Sequence, residues 1–298
     1  MKSRNVPRFV RLIVPLAGAA LFTACGSDKG FEASAPFEDV EDVKVWATSA
    51  SAVAVYSHAY ELLGVADGAL GFADPTCPAT NDDGTTLTVT GGCTDANERV
   101  WEGRATVVRD GDDRTLSFGG FNDNEGTVEV RVVEGPMLEV PLREFAAELV
   151  VGDVTKIRYA GTVAGDYTGP TLWNGSGRVA RSGFIEPTGS VDATTVDELV
   201  DGELCSGQPV SGSTTLEARG DTAVVTYDGA TDCDAEQNAR LVVNGEDRGL
   251  VSGIACTVTA VGADRGGLAA ALATLFGIVA AAAVRRAASP WSPASERG

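Results

Sequence analysis

Histidine is almost missing from these 298 residues: there is one, His58, against 42 acids and 23 Lys and Arg. A Ser-His-Asp or Cys-His catalytic set would have to run through it, and there is no Gly-x-Ser-x-Gly elbow to carry the serine. No CxxC pair is present to hold zinc or exchange thiols. No P-loop or strand–GxGxxG–helix is present to cradle a nucleotide, and none of the acidic turns has the spacing of a calcium loop. Cations are scarce, and the net charge of −19 repels phosphate backbones, so nucleic acid is excluded as a partner. Carboxylates are the only abundant acid–base groups, and a soluble exported surface would carry them anyway. The chain is therefore expected not to be an enzyme, with no catalytic residues, no metal and no cofactor. Long uncharged apolar runs are absent except at two places, near each end.

The first run closes on Leu21-Phe22-Thr23-Ala24-Cys25. Lys2, Arg4, Arg8 and Arg11 come first, then the apolar stretch Leu12 to Phe22, then small residues before a cut, which is the pattern of a secretory signal. Thr23-Ala24-Cys25 resembles the lipobox of bacterial lipoproteins, with Phe22 where Leu, Val or Ile is usual. That resemblance implies a signal peptide over 1–24, a diacylated Cys25 as the first mature residue, and a stable hold on a membrane by two acyl chains. Loss of the four signal cations leaves 19 against 42 acids, a mature net charge of −23. Residues 25–37 read as a small, polar, lipidated tether.

Lipidation of Cys25 leaves Cys77, Cys93, Cys205, Cys233 and Cys256 in an oxidising compartment. Cys77 and Cys93 bracket one turn-centred stretch and are the expected disulfide. The other three allow any single pairing, with one thiol left over.

From about Val40 to Leu63 the spacing predicts one helix. Val45, Ser49, Ala52, Val53, Tyr56, Tyr60 and Leu63 lie on its packed face, with Glu38, Asp39, Glu41 and Asp42 at its start. After Pro75 the pattern is strand and turn. Expected strands include Thr85 to Thr90; Val100 to Arg109, with Trp101, Gly103, Ala105 and Val107 on one side; Thr127 to Val132; and Lys156 to Tyr159. Turn signals fall at Asp82-Asp83, Asp110-Gly111, Asn124-Glu125-Gly126, Asp228-Gly229 and Asn244-Gly245. Trp101-x-Gly103-x-Ala105 and Trp173-x-Gly175-x-Gly177 echo one another, as aromatic cover over strand glycines would produce with or without duplication. Around Thr188 to Asp201 the strand pattern lapses. The reading is a helix plus antiparallel β domain over 38–201 and a small Cys-containing β unit over 202–265, separate or part of the same domain.

The second run, Leu268 to Val284, is 17 residues without charge, followed by Arg285-Arg286. It is at the short limit for a membrane span, with arginines on the side the positive-inside rule requires. The region 266–298 also resembles the C-terminal sorting tails of myxobacterial surface proteins, but without their Cys before the helix and with fewer arginines. The third reading is an Ala-rich helix packed on the domain. The two ends disagree: Gly26 after the lipidated Cys points to the outer membrane, whereas a spanning helix belongs to the inner one.

Cys77-Pro78 to Asp83-Gly84-Thr85-Thr86, Gly91-Gly92-Cys93-Thr94-Asp95, Pro209-x-Ser211-Gly212 and Tyr227-Asp228-Gly229 resemble segments of uncharacterised Cys-containing myxobacterial lipoproteins. That family implies no activity. The fold expected is mainly β: an antiparallel sheet or open barrel, one N-terminal helix packed on it, and a C-terminal apolar helix. The function expected is that of a membrane-anchored module of the cell envelope, on its extracytoplasmic face, binding a ligand or building structure. Its partners would be the membrane, through the lipid and the C-terminal run, and a protein or apolar ligand. The other readings are a carrier with an apolar β cavity and a hydrolase with two carboxylates about 5 to 10 Å apart in a cleft.

Overall fold

A computed structural model describes residues 37, 39–133, 140–152, 155–182, 187–201, 209–227 and 239–251. Cys25, Cys205, Cys233, Cys256, Asp228-Gly229 and both long apolar runs lie outside the described residues. Two helices come first, α1 (Val40–Ala50) and α2 (Ala52–Ala66). Fifteen strands follow: β1 (Ala79–Asp82), β2 (Thr86–Thr90), β3 (Cys93–Thr94), β4 (Val100–Trp101), β5 (Arg104–Asp110), β6 (Asp113–Phe121), β7 (Asn124–Val133), β8 (Leu142–Val151), β9 (Thr155–Ala164), β10 (Thr171–Arg181), β11 (Gly189–Val200), β12 (Pro209–Ala218), β13 (Asp221–Tyr227), β14 (Ala239–Val243) and β15 (Glu246–Val251). Thirteen of them form one antiparallel sheet whose order follows the chain, β1-β2-β5 and onward to β15, while β3 and β4 make a separate ribbon. The strands within 209–251 thus extend the same sheet as those before them.

The protein is mainly β, and the strands arise where alternation predicts them. In β5 and β9, Ala105, Val107, Ile157 and Tyr159 are buried while Arg104 and Arg158 face outward. α2 touches β5 as well as β9, β10 and β11. Five strand spacings of about 4.8 Å separate β5 from β10, so the sheet must curl for one helix to reach both. The helices lie on the inner face of that curl.

Four expectations are corrected. There are two helices in place of one: the Thr48 and Ser49 hydroxyls bond back to the carbonyls of Lys44 and Val45, and the chain leaves helical geometry at Ser51 (ψ 150°). On α1 the packed face is Val43, Trp46, Ala47 and Ala50, with Val45 and Ser49 only half-buried. The turn expected at Asn124-Glu125-Gly126 falls at Asn122-Asp123 (φ +47° and +62°), and Asn124 opens β7 with its amide bonded to the carbonyls of Phe121 and Asn122. The stretch where the pattern lapses is β11, the longest strand at 12 residues. Buried Ser190, Thr195 and Glu198, and a bulge at Asp197 (φ +52°), break its alternation. Asn244-Gly245 makes its hairpin as expected, with φ of +52° and +80°.

Candidate functional site

The helices meet the sheet through aromatic rings. Tyr56 stacks on Phe145, centroids 4.0 Å apart, and sets its edge against Trp173 at 5.6 Å. Trp46, Tyr56 and Trp173 are all fully buried. Tyr159 lies over the two glycines of β10: a Cβ at Gly175 or Gly177 would meet its ring at 2.4 or 2.9 Å. The glycines are therefore covered from the neighbouring strand and not by Trp173.

Below this layer runs a chain of buried hydroxyls. Tyr159 donates to Thr195 Oγ1 at 2.9 Å, the hydroxyls of Thr195 and Thr214 lie 3.1 Å apart, and Thr214 donates to Glu198 Oε1 at 2.6 Å. Glu198 has no exposed surface and stands opposite Trp173 in the register. Burial raises the Tyr159 pKa well above its ordinary value, so this hydroxyl serves as a donor and not as a proton source near neutrality.

A second cluster closes the far end of α2. Arg143 is buried, with its guanidinium carbon 4.1 Å from the centre of the Tyr167 ring. It donates to the Tyr167 hydroxyl at 3.1 Å and to the Gly165 carbonyl at 3.0 Å. Asp67 accepts from Tyr167 at 2.7 Å and from Arg114 at 3.2 Å. Arg109 donates to the Ala66 carbonyl at 2.6 and 3.1 Å and pairs with Asp82. Guanidinium groups placed on a helix C-terminus satisfy its last carbonyls and its dipole. Burial pushes Tyr60 up to about 12 and raises Tyr56 and Tyr167.

The third cluster surrounds the disulfide. Cys77 and Cys93 are joined, with Cα atoms 6.0 Å apart. Cys93 pairs in register with Trp101, whose indole donates to Asp95 and whose ring lies 3.7 Å from the Arg99 guanidinium carbon. Arg99 reaches both oxygens of Glu61 on α2 at 3.4 Å. The disulfide thereby fixes a flap against the helix.

The acidic turns bond mainly to their own backbone: Asp82 accepts from Gly84, and Asp83 from Thr85 and Thr86. Among the described residues no three His, Cys, Asp or Glu are grouped to hold a metal. His58 falls in α2. On the outer face a shallow depression of about 400 Å³ is lined by Arg178, Asp192, Glu217, Arg219 and Asp221. Arg178 grips both oxygens of Asp192 at 2.6 and 2.8 Å, so that carboxylate is already engaged.

Sequence reasoning missed Glu198, Arg143 and Trp46. The one signal for Glu198 was the lapse of alternation it causes. Comparison with protein-family models, curated proteins and solved structures finds no match for this chain.

Proposed function

We propose that this chain is a lipid-anchored extracytoplasmic lipoprotein of the cell envelope, a binding or structural module that works through its outer surface. Thr23-Ala24-Cys25 supports the anchor. The observation that carries the module reading is the filling of the inner face: Trp46, Tyr56 and Trp173 pack there with no exposure, where an apolar carrier needs empty volume. The clusters around Arg143 and Arg99 hold α2 in place and are bonded within the chain. No helix among the described residues is long and apolar enough to cross a membrane, and the lipid on Cys25 is the attachment this reading rests on.

Two measurements test it. Cys25→Ala should accumulate as unprocessed precursor and lose incorporation of labelled palmitate; equal labelling of the variant sinks the anchor. Full-length protein in detergent-free vesicles should not enhance the fluorescence of a naphthylamine probe above that of the vesicles alone. Saturable enhancement at one site per chain would replace the module by the carrier.

A further inference from the structure

Two buried donors that lack an acceptor lie together where α1 packs on the end of β10. Trp46 has no exposed surface, and its indole Nε1 meets no hydrogen-bond partner among the described residues. The Nη1 of Arg181, the last residue of β10, is likewise buried and unbonded there. The Arg181 guanidinium carbon stands 5.9 Å from the centre of the Trp46 ring, so the two groups are neighbours. The other described indoles find acceptors: Trp101 donates to Asp95 and Trp173 to Thr171. So do the guanidinium groups at the far end of the helices, where Arg143 bonds Tyr167 and Gly165 while Arg109 and Arg114 hold Asp82 and Asp67.

The residues around Arg181 explain the deficit. It stands two positions beyond buried Val179 and shares the inward face of β10 with it. Its cross-strand neighbours are Thr155 and Gly189, so the sheet sets no carboxylate beside it. Asp42 on α1 acts on its charge through space but does not bond Nη1. A guanidinium keeps its proton in proteins, so the cost of burying the charge cannot be relieved by ionisation. That cost is met only when an acceptor faces the group. Two open donors, one of them on a cation, match the oxygens of an anion and exclude a cation or a second donor.

We propose that Trp46 and Arg181 form a site for a small carboxylate, one oxygen accepting from Nε1 and the other from Nη1. The planar guanidinium suits a flat group with two oxygens. Phosphate could use the same donors, but it brings more negative charge close to Asp39, Glu41 and Asp42, on a chain of net charge −19. Arg181 is only half-buried while Trp46 is sealed, so the carboxylate enters past Arg181 and leaves the rest of its molecule at the rim. Beneath α1 the space is taken by Val43, Ala47 and Ala50, which keeps an acyl chain from following. The inference therefore leaves the filled interior as described, goes beyond the module reading, and does not depend on lipidation of Cys25.

The test is the indole N–H resonance spectrum of full-length protein, isotope-labelled at its tryptophan nitrogens and titrated with sodium acetate. The resonance that Trp46→Phe removes should move downfield and saturate, while those of Trp101 and Trp173 stay in place. Arg181→Gln deletes a buried charge and adds none, so the fold should persist while acetate affinity falls about tenfold or more. Arg181→Lys keeps the charge without the planar fork, and its affinity should lie between the two. No movement of the Trp46 resonance, an equal movement with sodium chloride, tighter binding of inorganic phosphate than of acetate, or unchanged acetate affinity in the Arg181 variants would each overturn the proposal.

Discussion

Tyr167 and Asp67, a hundred residues apart in the chain, are joined by a 2.7 Å hydrogen bond from the phenol to the carboxylate. This bond ties the loop after β9 to the end of α2. The same phenol accepts from buried Arg143. Tyr167→Phe removes both bonds and leaves two charged groups short of a partner, so it should lower unfolding free energy by about 2 kcal/mol, read from urea denaturation.

Tyr56→Phe should behave in the opposite way. The Tyr56 hydroxyl is buried and finds no hydrogen-bond partner among the described residues, while its ring carries the stack on Phe145. Its removal relieves an unsatisfied polar group. Stability should be unchanged or higher by about 1 kcal/mol in the same urea assay. A loss as large as that of Tyr167→Phe would show that the hydroxyl is bonded after all.

Reduction should loosen the flap around Trp101. The Cys77–Cys93 bond closes a separation of 16 residues, and a loop of that size contributes about 3 kcal/mol in the chain-entropy model. Cys77→Ser with Cys93→Ser should lower the unfolding free energy read from urea denaturation by about that amount.

Alkaline unfolding should coincide with phenol ionisation. Tyr60 rises from an ordinary 10 to about 12 through burial, and Tyr56 and Tyr167 rise too. A raised folded pKa means stability that is full below the unfolded value of about 10 and is lost as pH climbs through the folded value. Tyrosinate absorbance and far-ultraviolet circular dichroism should therefore change together above about pH 10, with loss of structure centred near pH 12. Ionisation near pH 10 in a folded chain would contradict the burial.

Much of the sheet was legible in the residues because one buried face against one wet face imposes a period of two, and β5, β7 and β9 obey it. Legibility failed where a side chain inside the curl was polar. Thr195 and Glu198 broke the rhythm of β11, although their burial is chemically sound once β12 and β9 bring Thr214 and Tyr159 to them. The helix break was missed because a spacing argument reads residues by face alone, while the hydroxyls of Thr48 and Ser49 act on the local backbone. Arg143 was invisible for another reason: a cation in a strand reads as outward-facing, and only Tyr167 and the Gly165 carbonyl make its inward position tenable. The disulfide needed nothing distant, and there the sequence was sufficient.

The order of the sheet, in which each main-sheet strand lies beside the strand that precedes it along the sheet's own sequence, bears on how such a chain is born. A chain threaded outward from its N-terminus could close each hairpin soon after its second strand appears, since little loop entropy is at stake. The helices have the reverse history. They emerge first, yet the Trp173 that receives Tyr56 and Tyr60 follows more than a hundred residues later. For that interval their aromatic face is without its cover, which makes the early chain, and not the finished one, the stage at which a holding chaperone or rapid synthesis would matter most.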